Sequence, residues 1–72
     1  MERQEKKYLE EALREKTPHE KFNKALARVL GEKVRGKRGY KLYIDLMEEV
    51  RSLARKKDIS NERAVRSILG KA

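Results

Sequence analysis

The chain has no cysteine and no tryptophan, and one histidine, one proline and one phenylalanine in 72 residues. Without cysteine no disulfide forms, and nothing ties the protein to an oxidising compartment. Zinc is held by Cys, His and carboxylate ligands, and a lone His19 does not supply such a set. The same count excludes a Cys–His nucleophile pair. Three serines and one threonine carry no nucleophile motif, and the glycines at 36 and 39 make neither GxxxxGKS/T nor GxGxxG. We therefore expect no enzyme, no cofactor and no metal, with His19 a first-turn helix residue. No apolar run approaches the ~20 residues of a membrane span. The amino end, Met1 to Glu5, lacks the apolar stretch of a signal peptide. The expectation is a cytoplasmic protein with no membrane partner.

Positive charge is what the chain has in excess. Twenty Lys+Arg against 12 Asp+Glu give a net charge of +8 and a sequence pI near 10.0. The excess is uneven: net −1 over residues 1–20, +7 over 21–41, −3 over 42–50 and +5 over 51–72. Such blocks point to an anionic partner. With one Gln and two Asn, the polar residues are mainly Lys, Arg and Glu, a bias that suggests a thermophilic source. At 72 residues there is room for one small domain. Its core is lean enough that a homodimer or a larger protein complex would add useful burial.

Apolar spacing predicts helices. Tyr8, Leu9, Ala12 and Leu13 form a narrow stripe over 3–16. Thr17-Pro18-His19-Glu20 reads as a capping box with proline at the first helical position. It predicts a helix over 18–30, with Phe22, Ala25, Leu26, Val29 and Leu30 on one face and Gly31 as its stop. Residues 32–39 read as a basic loop between an N-terminal helical pair (1–31) and a C-terminal one (40–72). Leu42, Leu46, Val50 and Leu53 give a helical face over 40–57, although Tyr40 to Ile44 also has the composition of a strand. Ser60 is a candidate N-cap and Ile59 a staple for a last helix over 61–69, stopped by Gly70.

The candidate site residues follow from charge. Lys33 to Lys41 holds five basic residues, two glycines and Tyr40. Long basic side chains displace counterions from a nucleic-acid backbone, so Arg35, Lys37, Arg38 and Lys41 are candidate phosphate contacts, with Tyr40 a candidate for stacking on a base. The helix over 18–30 carries Lys21, Lys24 and Arg28 opposite its apolar face, which we read as core.

The run Leu53-Ala54-Arg55-Lys56-Lys57-Asp58-Ile59-Ser60-Asn61-Glu62-Arg63-Ala64 resembles the L-A-x-x-x-G-I-S cadence of two classes of DNA-binding regulators, with Asp58 at the usual glycine. One is the helix-turn-helix family, in which the helix after the turn enters the major groove. That resemblance puts Asn61, Glu62 and Arg63 at the reading end, and Asn61, Arg63 and Arg66 are the candidate contacts of the last helix with bases or further phosphates. The other is the ribbon-helix-helix family, which implies a dimer reading DNA with a two-stranded ribbon around Tyr40 to Leu42. Both resemblances cover about thirty residues (40–69).

The leading expectation is an all-α, four-helix domain with a helix-turn-helix-like C-terminal pair. The alternative is a ribbon-helix-helix dimer with an N-terminal helical extension. The expected function is double-stranded DNA binding by a transcriptional regulator or a chromosome- or virus-associated factor, with RNA as a possible target. The rival is an accessory subunit of a nucleoprotein complex such as a ribosome or polymerase, docked through the stripe at Tyr8, Leu9 and Leu13.

Overall fold

The computed structural model describes residues 2–70. They form four α-helices: α1 (Arg3–Glu15), α2 (Phe22–Lys33), α3 (Lys37–Lys57) and α4 (Asn61–Ile68). Among the described residues there is no strand. The all-α expectation holds, and the ribbon alternative does not, because Tyr40, Lys41 and Leu42 lie inside α3. The reason is the period of burial. Gly39, Leu46, Val50 and Ala54 are all buried on one face of this helix, whereas a strand would send alternate side chains to opposite sides.

Helix α1 packs on α2, α2 on α3, α3 on α4, and α4 returns against α1. The enclosed core holds Leu9 and Ala12 of α1, the five predicted residues of α2, Leu46, Met47, Val50 and Ala54 of α3, and Ala64 and Val65 of α4. Each large apolar side chain withdrawn from water contributes ~1.5–3 kcal/mol. Among the described residues no polar or charged side chain is buried. Tyr8 and Leu13 pack against the margin of the core and Leu9 lies within it. The stripe that suggested a docking helix is therefore covered by the chain's own helices.

Two boundaries differ from expectation because of long-range contacts. The 17–20 segment closes a separate turn, and α2 begins only at Phe22. The Glu20 backbone N–H donates to the Thr17 carbonyl at 3.1 Å, and the Thr17 N–H donates to Glu20 Oε1 at 3.3 Å. Half of the predicted capping box is thus made, but Arg28 Nη2 then donates to Glu20 Oε1 at 2.8 Å and to the Glu15 carbonyl at 3.3 Å. That clasp joins the turn and the end of α1 to the outer side of α2. Pro18 and His19 are left exposed in the turn rather than in a helix.

The expected basic loop over 32–39 shrinks to three residues. Helix α2 continues through Gly31 to Lys33, and α3 starts at Lys37. Gly36 makes the corner with φ 74°, in the region that favours glycine. Gly39 lets the first turn of α3 lie against the end of α2: a Cβ there would sit 2.5 Å from the Val34 carbonyl oxygen. The outcome is an antiparallel α2–α3 pair in contact from the corner onward. Twenty-one residues at 1.5 Å per residue make α3 about 31 Å long, close to the longest dimension of the molecule, 33 Å.

The α3–α4 turn follows the sequence expectation. Asp58 adopts the left-handed conformation (φ 55°, ψ 51°) that the usual glycine would take. The Ile59 N–H donates to the Ala54 carbonyl at 2.9 Å, and the Asp58 N–H to that of Arg55 at 3.3 Å. These bonds close the end of α3 as a Schellman motif does. Ser60 caps α4, its Oγ accepting from the Arg63 N–H at 3.2 Å.

Two substitutions test this account. Gly39→Ala drives a methyl group into a backbone carbonyl and is expected to destabilise the domain by about 1–3 kcal/mol in urea unfolding. Asp58→Gly relieves a left-handed non-glycine residue and is expected to stabilise by about 0.5–1 kcal/mol. For a domain of this size that is a rise in melting temperature of roughly 2–8 °C.

Candidate nucleic-acid interface

The seven predicted contact residues are not brought to one place. Arg35, Lys37, Arg38 and Lys41 sit at the start of α3, whereas Asn61, Arg63 and Arg66 lie on α4, beyond its far end. The length of α3, about 31 Å at 1.5 Å per residue, separates Lys37 from the turn that begins α4, and α4 then packs against α3.

The α4 group is itself divided. Asn61 is half-buried in a cleft of about 400 Å³ that it lines with Lys16, Lys21, Phe22 and Asn23. Glu62 accepts from Lys16 Nζ at 3.1 Å and lies 3.8 Å from Arg66. The first turn of α4 is thereby held against the corner between α1 and α2. Only Arg63 and Arg66 of the three project into solvent.

The α3 group is exposed throughout. None of its four cations makes an ion pair among the described residues. The first turn of α3 has no acidic residue, although the partial positive charge of a helix N-terminus favours one. Cations crowded there repel both the dipole and one another, a cost of roughly 0.3–1 kcal/mol each that a bound anion removes. Within the group the surroundings differ. Arg35 and Arg38 line a cleft with Glu2 and Glu5 of α1, so carboxylates moderate their field. Lys37 and Lys41, one helical turn apart, do not line that cleft.

Lys33 also belongs to the basic run but is compensated. Its Nζ lies 3.0 Å from Glu11 Oε1, linking α1 to α2. That hydrogen bond holds the Glu11 carboxyl below the usual carboxylate value and raises the Lys33 ammonium above its own.

Farther along α3 the charge reverses on the flank that faces α1. Asp45, Glu48 and Glu49 line a cleft of about 740 Å³ with Glu2 and Glu5. The outward face of α3, opposite its buried residues and bordering that cleft at Glu48, is mainly positive. Lys37, Lys41, Ile44, Glu48, Arg51 and Arg55 are all exposed and recur at alternating steps of four and three, so they share one face. Glu48 is the single acid in that row. Arg51 and Arg55 were not among the candidate contact residues. The four-three spacing of the non-core positions would have placed them with Lys37 and Lys41. Tyr40 is 71% exposed at the edge of this row and Ile44 is 42% exposed within it; among the described residues they are the two exposed large apolar side chains.

Among the described residues no group of three or more His, Asp or Glu is arranged to hold a metal. No helix is long and apolar enough to cross a membrane. In comparisons with known proteins, the chain matches no family, no curated protein and no solved structure.

The Glu11–Lys33 bridge predicts a pH dependence. Because the folded state lowers the Glu11 value, its stabilisation is present above the ordinary glutamate range and is lost as pH falls below about 4. Because the folded state raises the Lys33 value, the matching contribution is complete at neutral pH and is lost only as pH climbs past the ordinary lysine range. Glu11→Gln is expected to melt below the wild type at pH 6–7. The two curves should converge near pH 2–3 in thermal melts followed by circular dichroism.

Proposed function

We propose that this protein binds nucleic acid, duplex DNA foremost, by setting the N-terminal end of α3 against the phosphate backbone. The observation that carries the reading is the gathering of Arg35, Lys37, Arg38 and Lys41 at one exposed helix end without ion-pair partners among the described residues. Displacing condensed counterions from phosphates is the dominant source of affinity for such a cluster. Lys37 and Lys41 are the principal contacts. Arg35 and Arg38, beside Glu2 and Glu5, reinforce them. Arg63 and Arg66 form a second, separate basic point that reaches a phosphate farther along the same duplex.

This division favours backbone gripping over base reading. The helix-turn-helix resemblance implied a recognition helix at 61–69, but its first residue is half-buried and its second is tied to Lys16. A helix so held is poorly placed to enter a groove by its N-terminal end. A regulator with modest sequence preference, or a chromosome- or virus-associated packaging factor, fits this arrangement. RNA presents the same phosphates and is a second substrate of the same surface. The rival role as a protein-docked accessory subunit loses its main support, since the stripe of α1 is covered.

The test is fluorescence anisotropy of a labelled duplex across a salt series. Each phosphate contact contributes about −0.9 to the slope of log K against log salt. The double variant Lys37→Ala/Lys41→Ala should reduce the slope by about 2 and weaken binding at low salt. Arg63→Ala/Arg66→Ala should have a smaller effect. An unchanged slope in the first variant would rule out the proposed grip.

A further inference from the structure

We propose that the groove beside Tyr40 receives an unpaired nucleobase of the bound nucleic acid, stacked on the Tyr40 ring, with its flanking phosphates on Lys37 and Lys41. This inference rests on the nucleic-acid reading above and narrows it to substrates with a base free to leave the stack.

The groove lies where α2 runs into α3 and has a volume of about 420 Å³. Ala27, Leu30, Gly31 and Val34 line it from α2 and the corner, and Tyr40 and Tyr43 from α3. It contains no charged side chain, whereas four other surface clefts are each lined by charged groups. Gly36 and Gly39 complete the lining; Gly39 is closed off by the Val34 carbonyl, but Gly36, where an added Cβ would meet nothing within 4 Å, leaves bare backbone that a flat ring can approach closely. The Tyr40 ring is mostly in solvent, at 71% exposure. A tyrosine left so exposed at the mouth of an uncharged slot, within a basic surface, has the composition of a base-stacking platform.

The rim decides the occupant. Lys37 precedes Tyr40 by three residues and so lies beside it on the helix surface, and Lys41 is the next residue along the chain, on the adjoining outward row. An apolar peptide or a second copy of this positively charged end would leave those cations uncompensated or opposed. A nucleotide supplies a flat aromatic ring and an anionic backbone at once. In a perfect duplex the bases are stacked inward and cannot reach the slot. A bulged base, a frayed end or a single strand can.

The experiment uses the full chain and three labelled DNAs of matched sequence at one moderate salt concentration: a perfect duplex, the same duplex with one bulged adenine, and the single strand. The bulged duplex and the single strand are expected to bind more tightly than the perfect duplex, and 2-aminopurine placed in the bulge is expected to lose fluorescence on binding. Stacking on one aromatic side chain sets the size of the preference at about 5- to 100-fold. Tyr40→Ala should abolish it and leave perfect-duplex affinity unchanged; Tyr40→Phe should keep it. Gly31→Leu should also abolish it by filling the slot from α2, where an added Cβ meets nothing within 4 Å. Equal affinity for all three DNAs, or a preference that survives both Tyr40→Ala and Gly31→Leu, would overturn the base-stacking proposal while leaving the phosphate grip intact. Absence of binding to any of them would overturn the nucleic-acid reading itself.

Discussion

The contact between Gly39 and the Val34 carbonyl governs the rest of the molecule. It allows two helices to meet through a three-residue corner, so that α3 starts at Lys37 and runs unbroken to Lys57. With α3 in place, α2 lies antiparallel along it, and α1 and α4 close the core from the two remaining sides. A side chain at position 39 would force the helices apart at their point of closest approach. It would also displace the end at which the basic residues and Tyr40 are presented.

That corner also determines how charge is displayed. In a loop, Arg35, Lys37, Arg38 and Lys41 would spread their charge and relax away from one another. On the first turns of a helix the spacing of Lys37, Arg38 and Lys41 is fixed, with Arg35 just ahead of them in the corner, and the dipole works against these charges. The molecule accommodates this local conflict without compensating acids in that turn, while it does compensate Lys33, Arg28 and Lys16 with Glu11, Glu20 and Glu62. Neighbouring cations treated so differently distinguish those that hold helices together from those left for an external anion. Departures from local rules of this kind concentrate at functional sites.

What the sequence disclosed, and what it hid, divides along the range of the interactions. The apolar stripes of α1, α2 and α3 were legible because a 3.6-residue period is a property of each helix alone: the five residues of α2 are buried, as are Leu9, Ala12, Leu46 and Val50, while Tyr8, Leu13, Leu42 and Leu53 pack at the margin of the core. Ser60 and Ile59 were legible for the same reason, since a cap and its turn involve near neighbours. The start of α2 was misread because the Thr17–Glu20 contacts close a separate turn, whose Glu20 also binds Arg28 eight residues on, instead of opening the helix. Gly31 and Gly39 read as breaks because their tolerance or necessity depends on what lies across from them: open space at one, a carbonyl at the other. The basic residues of the site could be listed from the sequence. Their separation into two ends could not, because it follows from the uninterrupted length of α3. The uncharged slot was equally hidden, since its walls come from two helices.

The shape of the molecule sets how densely it can coat a polyanion. Its longest extent is 33 Å. In the proposed mode both basic points meet one duplex, so a molecule laid along that length would span about ten base-pair steps at 3.4 Å each, close to one turn of the double helix. Copies set end to end would then each repeat the same contact on the same side of the duplex.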